Sequence, residues 1–260
     1  MAGVFDLFRL DGRVAIVTGG AGRLGFQMAS ALNEAGAHVV LASRNTARCK
    51  EKAAQLTGSE CIGLHVDITD KDTVQAMVAD VLKHFGRMDI LVNNAGGAVL
   101  APFETMSPEE FRKTIDLNQT GTFLCSQAVL DPMKRQGKGA IVNIASIYGV
   151  VGADQRIYED SGLNSPINYA AAKGGVVNMT RYMASYLAPY NIRVNGIGPG
   201  GFFDITDKNR GFAKHYFHRT MLGRQGNDTD LKGAIVYLAS DASAYVTGHT
   251  LMVDGGWTAW

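Results

Sequence analysis

The chain is 260 residues long, with 25 lysines and arginines against 24 aspartates and glutamates, and 46% of it is hydrophobic. That composition supplies a large core, and a net charge of +1 gives no electrostatic case for nucleic acid or an anionic membrane surface. No apolar run reaches membrane-spanning length, the first nine residues lack the basic-then-apolar order of a secretory signal, and Cys49, Cys61 and Cys125 fit no metal spacing, so the expectation is a cytoplasmic protein without a metal site.

Short β-branched runs alternate with longer helical stretches. Val14–Thr18 reads as a strand, 24–35 as a helix and 38–42 as a second strand. A helix near 46–56, a strand at 61–66, a helix near Lys71–Phe85 and a strand at 89–93 follow. Residues 108–133 carry two helical segments ahead of a strand at 140–145. Ile167–Leu187 is helical, 192–197 a strand, 231–239 a helix and 249–253 the last strand. No linker or low-complexity tract divides residues 1–260, so the alternation predicts a single-domain α/β Rossmann fold. Its doubly wound parallel sheet has about seven strands, helices on both faces, and its ligand at the carboxyl ends of the strands.

Four stretches carry chemistry. Thr18-Gly19-Gly20-Ala21-Gly22-Arg23-Leu24-Gly25 is a glycine-rich turn that opens a helix. Gly19 allows a sharp turn, Gly25 allows close packing on the sheet, and the helix start offers N–H groups and a positive dipole end to a diphosphate. Asn93-Asn94-Ala95-Gly96 closes the strand Ile90-Leu91-Val92, and Ser146 ends another. Tyr169-Ala170-Ala171-Ala172-Lys173 puts a phenol and an ammonium four residues apart on one helical face. A free phenol ionises near pH ~10. A nearby lysine charge favours the phenolate, so the pair can pass a proton to or from a substrate oxygen.

In this order over the whole chain, these motifs resemble the short-chain dehydrogenase/reductase family. The resemblance implies that Asn118, Ser146, Tyr169 and Lys173 are catalytic. Tyr169 would exchange a proton while a nicotinamide exchanges the hydride, and Ser146 would bond the reacting oxygen. Lys173 would bond the nicotinamide ribose and lower the Tyr169 pKa, and Asn118 would hold a water linking Lys173 to solvent. The implied dinucleotide site has Gly19, Gly20, Gly22, Arg23, Leu24 and Gly25 at the diphosphate, Ser43 and Arg44 at the adenosine ribose, and Asp67 and Ile68 at adenine. Asn94, Ala95 and Gly96 would line the ribose, Tyr169 and Lys173 would also touch the cofactor, and Pro199, Gly200 and Phe202 would approach the nicotinamide amide. One departure stands out: the family pattern Thr-Gly-x-x-x-Gly-x-Gly puts its middle glycine at Arg23, which is expected beside the adenosine phosphates.

In NAD-selective relatives an acid at the Ser43 position accepts both ribose hydroxyls. Here that position is neutral, and Arg44, 19 residues beyond Gly25, can offer a charge-assisted fork to a 2′-phosphate. NADP(H) is therefore favoured. NAD(H) is the alternative, with Arg44 merely stacking on adenine.

Tyr169 follows Ser146 by 23 positions, more than in most relatives, and the surplus at 151–162 lies at the substrate mouth, where loops commonly carry specificity. The variable substrate segments are thus about 147–166 and 202–224. The second is basic and aromatic, and reads either as a solvated amphipathic helix or as a pocket for a polar, anionic substrate. Arg156 and His215 are the expected anchors for such a group, beside Ser146 and Tyr169 as substrate contacts. Trp257 and Trp260 are expected in a subunit interface, and the resemblance implies a homotetramer.

The implied function is an NAD(P)-dependent oxidoreductase, near gluconate 5-dehydrogenase-like enzymes. It would interconvert a secondary alcohol and a ketone, or a sugar hemiacetal and a lactone, on a small sugar, sugar acid or polyol. One alternative is a 3-oxoacyl-carrier-protein reductase, which calls for a basic patch found only in the second variable segment. The other is a non-catalytic dinucleotide-sensing module, a class that usually lacks the tyrosine or lysine present here.

Overall fold

Val17, Leu41, Val92 and Val142 sit side by side in one buried cluster, and their chain neighbours Ile16, Val40, Leu91 and Ile141 belong to another. Strands that are apolar on both faces must be covered on both faces. The computed structural model, which describes residues 3–158 and 164–260, has this arrangement. The strands are β1 (Val14–Thr18), β2 (His38–Ser43), β3 (Cys61–His65), β4 (Ile90–Asn93), β5 (Gly139–Ile144), β6 (Ile192–Pro199) and β7 (Thr250–Val253). All pairings are parallel, in the order β3-β2-β1-β4-β5-β6-β7.

The helices are α1 (Val4–Leu7), α2 (Arg23–Glu34), α3 (Thr46–Ala53), α4 (Lys71–Phe85), α5 (Pro108–Ile115), α6 (Gly121–Ala128), α7 (Leu130–Gln136), α8 (Ile167–Leu187), α9 (Arg210–Arg219) and α10 (Lys232–Ala239). Met28 and Leu32 of α2 and Ile235 and Leu238 of α10 cover one face, and Met77 and Val81 of α4, Cys125 of α6 and Leu187 of α8 the other. The chain winds from β1 outward to β3 and then returns to β4 on the opposite side of β1. Neighbouring connections diverge at that switch point, opening a crevice above the strand ends.

Residues 108–133 form more than the two expected helical segments. Ser107 and Glu110 cap α5 reciprocally. A π-helical turn at Asp116–Thr120 then separates α5 from α6. Pro132 has no N–H to donate to the carbonyl four residues back, so α7 begins as a separate helix. Trp257 is also a correction: it is 3% exposed, stacked on Tyr216 at 4.6 Å between ring centroids, and so buried within the chain rather than left for a partner. Trp260 is exposed, its Nε1 donating to the Arg219 carbonyl at 3.1 Å. Among the described residues no helix is long and apolar enough to cross a membrane.

Candidate active site

The crevice at the switch point is a cleft of about 480 Å³, lined by Gly19, Gly22, Arg23, Leu24 and Gly25 after β1, and Ser43 and Arg44 after β2. Asp67 and Ile68 after β3 and Asn94, Ala95 and Gly96 after β4 also line it. Gly19 adopts a φ of +62°, and a Cβ on Gly25 would lie 2.3 Å from the Gly19 carbonyl oxygen, so α2 can begin this close to the turn only with glycine there. Gly20 lies tight beneath the turn, where a Cβ would come 2.8 Å from the Val17 carbonyl oxygen. Asn94 clamps the two loops together, donating from Nδ2 to the carbonyls of Thr18 (2.9 Å) and Gly19 (3.2 Å). The Thr18 hydroxyl accepts from the N–H groups of Asn94 and Ala95 in return. This cradle, with the amino end of α2 at its floor, fits a diphosphate.

At the far end of the cleft, the guanidinium groups of Arg44 and Arg48 make no hydrogen bond or salt bridge to the described residues. Arg48 was not singled out from the sequence. Its signal was a second cation one helical turn beyond Arg44, held there because Asn45 accepts its N–H at 3.0 Å. The Ser43 hydroxyl faces Asn45 N (3.2 Å) and Cys49 Sγ (3.0 Å). The Thr69 hydroxyl (2.7 Å) and N–H (3.0 Å) donate to Asp67 and hold its carboxyl below the usual range. Arg23 is ion-paired with Asp204 (2.9 Å) and Asp228 (3.1 Å).

Tyr169 and Lys173 lie in the first two turns of α8. Two residues that sequence reasoning passed over pin this end. Buried Asn168 donates to the Val99 carbonyl (3.0 Å) and the Thr114 hydroxyl (2.9 Å), and Gln119 donates to the carbonyls of Ala171 (3.1 Å) and Ala172 (3.3 Å). An asparagine inside a helix's first turn is a poor helix former, and that was the available hint. Gly149 lets the loop after β5 press onto α8, since a Cβ there would lie 2.7 Å from the Lys173 carbonyl oxygen. That contact brings buried Ser146 to the Tyr169 end of the helix.

The Lys173 Nζ donates to the Ile144 carbonyl at 2.8 Å and lies 5.7 Å from the Tyr169 ring centroid. Burial lowers its pKa from 10.5 to about 8. Burial also raises the Tyr169 phenol, with a hydrogen bond from Ser146 opposing. The net shift of Tyr169 is thus upward, opposite to the expected lowering, because loss of water around the phenol is the larger influence and Ser146 rather than Lys173 is what opposes it. Asn118 occupies the π-helical turn, where its Nδ2 donates to the carbonyls of Gly97 (2.7 Å) and Thr114 (2.8 Å). Its buried Oδ1 has no partner among the described residues.

A family model described as enoyl-(acyl carrier protein) reductase matches residues 20–258. The chain belongs to the short-chain dehydrogenase/reductase family. A D-threitol dehydrogenase of Mycolicibacterium smegmatis is 39% identical over 261 residues, covering 98% of this chain and 95% of the relative. A gluconate 5-dehydrogenase of Burkholderia cenocepacia, solved in complex with NADP and tartrate, superposes with a TM-score of 0.87 at 35% identity, over 99% of this chain and 100% of the other. A short-chain dehydrogenase of Leptospira borgpetersenii with bound NAD+ gives 0.86 at 37% identity, over 99% and 96%. As a short-chain dehydrogenase/reductase, this protein is an NAD(P)-dependent oxidoreductase, and the reading as a sensing module gives way.

The substrate end of this short-chain dehydrogenase/reductase departs furthest from expectation. Tyr148, Tyr158, Phe203, Phe212, Tyr216 and Trp257 form one aromatic cluster. The Tyr148 and Tyr158 hydroxyls are 2.8 Å apart, and burial raises the Tyr148 phenol far above its ordinary range. In the basic segment, Phe212 and Tyr216 of α9 pack inward while Lys214 and His218 are exposed, as in an amphipathic helix. Arg156 already has a partner within its own loop. Its guanidinium forks onto Asp154 at 2.8 and 2.9 Å and its side chain is 86% exposed, because a carboxylate two residues away captures it. His215 is half-buried on α9. The Phe202 ring is pressed against Gly226, in a separate cavity of about 400 Å³ that Gly200 also lines. Pro199 ends β6. Within the expected substrate mouth, residues 159–163 lie outside the described residues.

Proposed function

We propose that the protein oxidises a secondary alcohol of a polyol or sugar acid to the ketone and catalyses the reverse reduction, preferring NADP(H) and accepting NAD(H). The carrying observation is buried Ser146, Lys173 and Asn118 with half-buried Tyr169 beside a glycine-walled cleft that fits a dinucleotide. Threitol and gluconate in the names of two relatives support the substrate class. Arg44 and Arg48, neither of which makes a hydrogen bond or close salt bridge among the described residues, support NADP: two guanidinium groups match the charge of a 2′-phosphate, about −1.5 to −2 for a phosphate monoester at neutral pH, although Arg44 also feels the Asp67 carboxylate.

In this reading residues 1–260 act as one dinucleotide-binding and catalytic unit, with 147–166 and 202–224 at the substrate mouth. Gly19, Gly20, Gly22, Leu24 and Gly25 seat the diphosphate. Arg44 reads the ribose, Asp67 and Ile68 hold adenine, and Asn94, Ala95, Gly96, Pro199 and Gly200 shape the path to the reacting end. The bound nicotinamide supplies hydride acceptance or donation. In oxidation, Ser146 fixes the alcohol oxygen, and Tyr169 takes its proton while releasing its own phenolic proton toward Lys173. Lys173, poised near pH 8, passes that proton toward Asn118 Oδ1 and solvent. His215 is the lid residue we assign to a substrate's acidic group.

We place the enzyme in the cytoplasm as a homotetramer. Phe123 of α6 and Tyr182 and Tyr186 of α8 are exposed on one apolar face suited to a second copy. A solution mass equal to one chain overturns the assembly. A spectrophotometric screen of polyols, sugar acids and acyl thioesters with both cofactors tests the activity, and turnover confined to thioesters overturns the substrate class.

A further inference from the structure

Arg23 stands where the family pattern has glycine, and it joins three segments. Its guanidinium bonds Asp204, in the stretch that follows β6, and Asp228, in the loop before α10, while its residue also lines the dinucleotide cleft. The Asp228 loop is itself fastened to α2. Gln27, one turn beyond Arg23 and buried, donates to the Asn227 carbonyl (3.0 Å) and accepts from the Leu231 N–H (2.7 Å). The start of the segment is seated by the Phe202 ring against Gly226. Asp204 is 90% exposed, so its carboxylate is held to the glycine turn chiefly by Arg23.

We infer that Arg23 is a latch: through Asp204 it keeps the segment after β6 closed over the diphosphate cradle and slows escape of the dinucleotide. The inference rests on the cleft being the dinucleotide site. Two effects of removing Asp204 have opposite signs. Deleting a carboxylate beside a diphosphate removes repulsion and by itself slows dissociation. Opening a latch speeds it.

The test is stopped-flow dissociation of reduced dinucleotide, followed by its fluorescence, in Asp204→Asn, Asp228→Asn and Arg23→Gly. A parallel measurement follows amide exchange of residues 202–209 in the dinucleotide-free protein. Asp204→Asn is expected to release the dinucleotide about two- to fivefold faster, the scale of an exposed ion pair. The gap from wild type should close in high salt, and exchange at 202–209 should quicken. Slower or unchanged release from Asp204→Asn overturns the latch, as does acceleration in Arg23→Gly alone, which would assign Arg23 to the phosphates directly. The exchange measurement needs no cofactor. Unchanged exchange sinks the latch, whereas quickened exchange in a protein that binds no dinucleotide sinks the functional reading instead.

Discussion

Asn118 Oδ1 and Lys173 Nζ converge on one point: a Cβ placed on Gly96 would lie 2.6 Å from the first and 3.4 Å from the second. Asn118 cannot swing aside cheaply, because both protons of its amide nitrogen are committed to carbonyls. Gly96→Ala should therefore displace the lysine–asparagine pair at its closest approach. We expect kcat to fall at least about tenfold and stability to drop by roughly 1–3 kcal/mol, the usual cost of overpacking. A variant within twofold of wild-type kcat would mean that this pair plays no part in proton transfer.

Tyr169→Phe should abolish turnover while leaving dinucleotide affinity nearly intact. In the proposed mechanism the hydroxyl carries the proton, whereas the glycine turn and the loops after β2, β3 and β4 supply most of the cleft. Loss of an acid–base group costs on the order of 10²-fold or more. Retention of a tenth of wild-type kcat would remove Tyr169 from the chemistry.

Lys173 links function to stability through pH. Its folded pKa of about 8 lies below the ordinary 10.5, so between those values the unfolded chain binds the extra proton. Stability therefore rises with pH across that window, and below pH 8 the full penalty of burying the lysine applies, roughly 3 kcal/mol. Lys173→Met should lose activity, and its stability relative to wild type should decline as pH is raised from 7 to 10. Denaturant unfolding at both pH values reads this difference, and a constant gap would show that Lys173 keeps an unperturbed pKa.

Arg44→Asp should move the preference from NADP toward NAD, because an acid repels a 2′-phosphate and accepts the ribose hydroxyls. Arg48→Gln should weaken NADP alone. The comparison is kcat/KM with each cofactor. A wild type that already prefers NAD would strip both arginines of that role.

The motif-bearing half of the molecule was legible in the sequence because its residues obey local rules. Seven β-branched runs became seven strands, since alternation and chain length fix a buried parallel strand without distant information. The glycine turn and Tyr169–Lys173 spacing likewise encode their own geometry. The substrate end was not legible. Arg156 pairs with Asp154 and Phe202 with Gly226, and the sequence alone does not say which of several available partners a side chain takes. Gln119 and Asn168 brace α8 across 52 to 69 positions of chain, a relationship that no local pattern carries. The π-helical turn that aims Asn118 has no sequence signature of its own, being set by the carbonyls of Gly97 and Thr114 that its amide meets.

The stacking of Trp257 on Tyr216 joins the end of the chain to α9, and Tyr216 in turn accepts a hydrogen bond from the Gly201 N–H just past β6. This chain of contacts fastens the aromatic segment above the site. Trp257→Ala would leave a large cavity beside Tyr216 at a position only 3% exposed, a change that commonly costs about 3–5 kcal/mol. Because Trp257 lies outside the dinucleotide cleft, the substrate KM should rise more than the dinucleotide Kd. The mass of the assembly in solution should stay unchanged, since the indole is covered by its own chain. Dissociation into smaller species with intact subunit stability would instead return Trp257 to a subunit interface. Unfolding midpoints, the two binding constants and a light-scattering mass on the same preparation separate these outcomes.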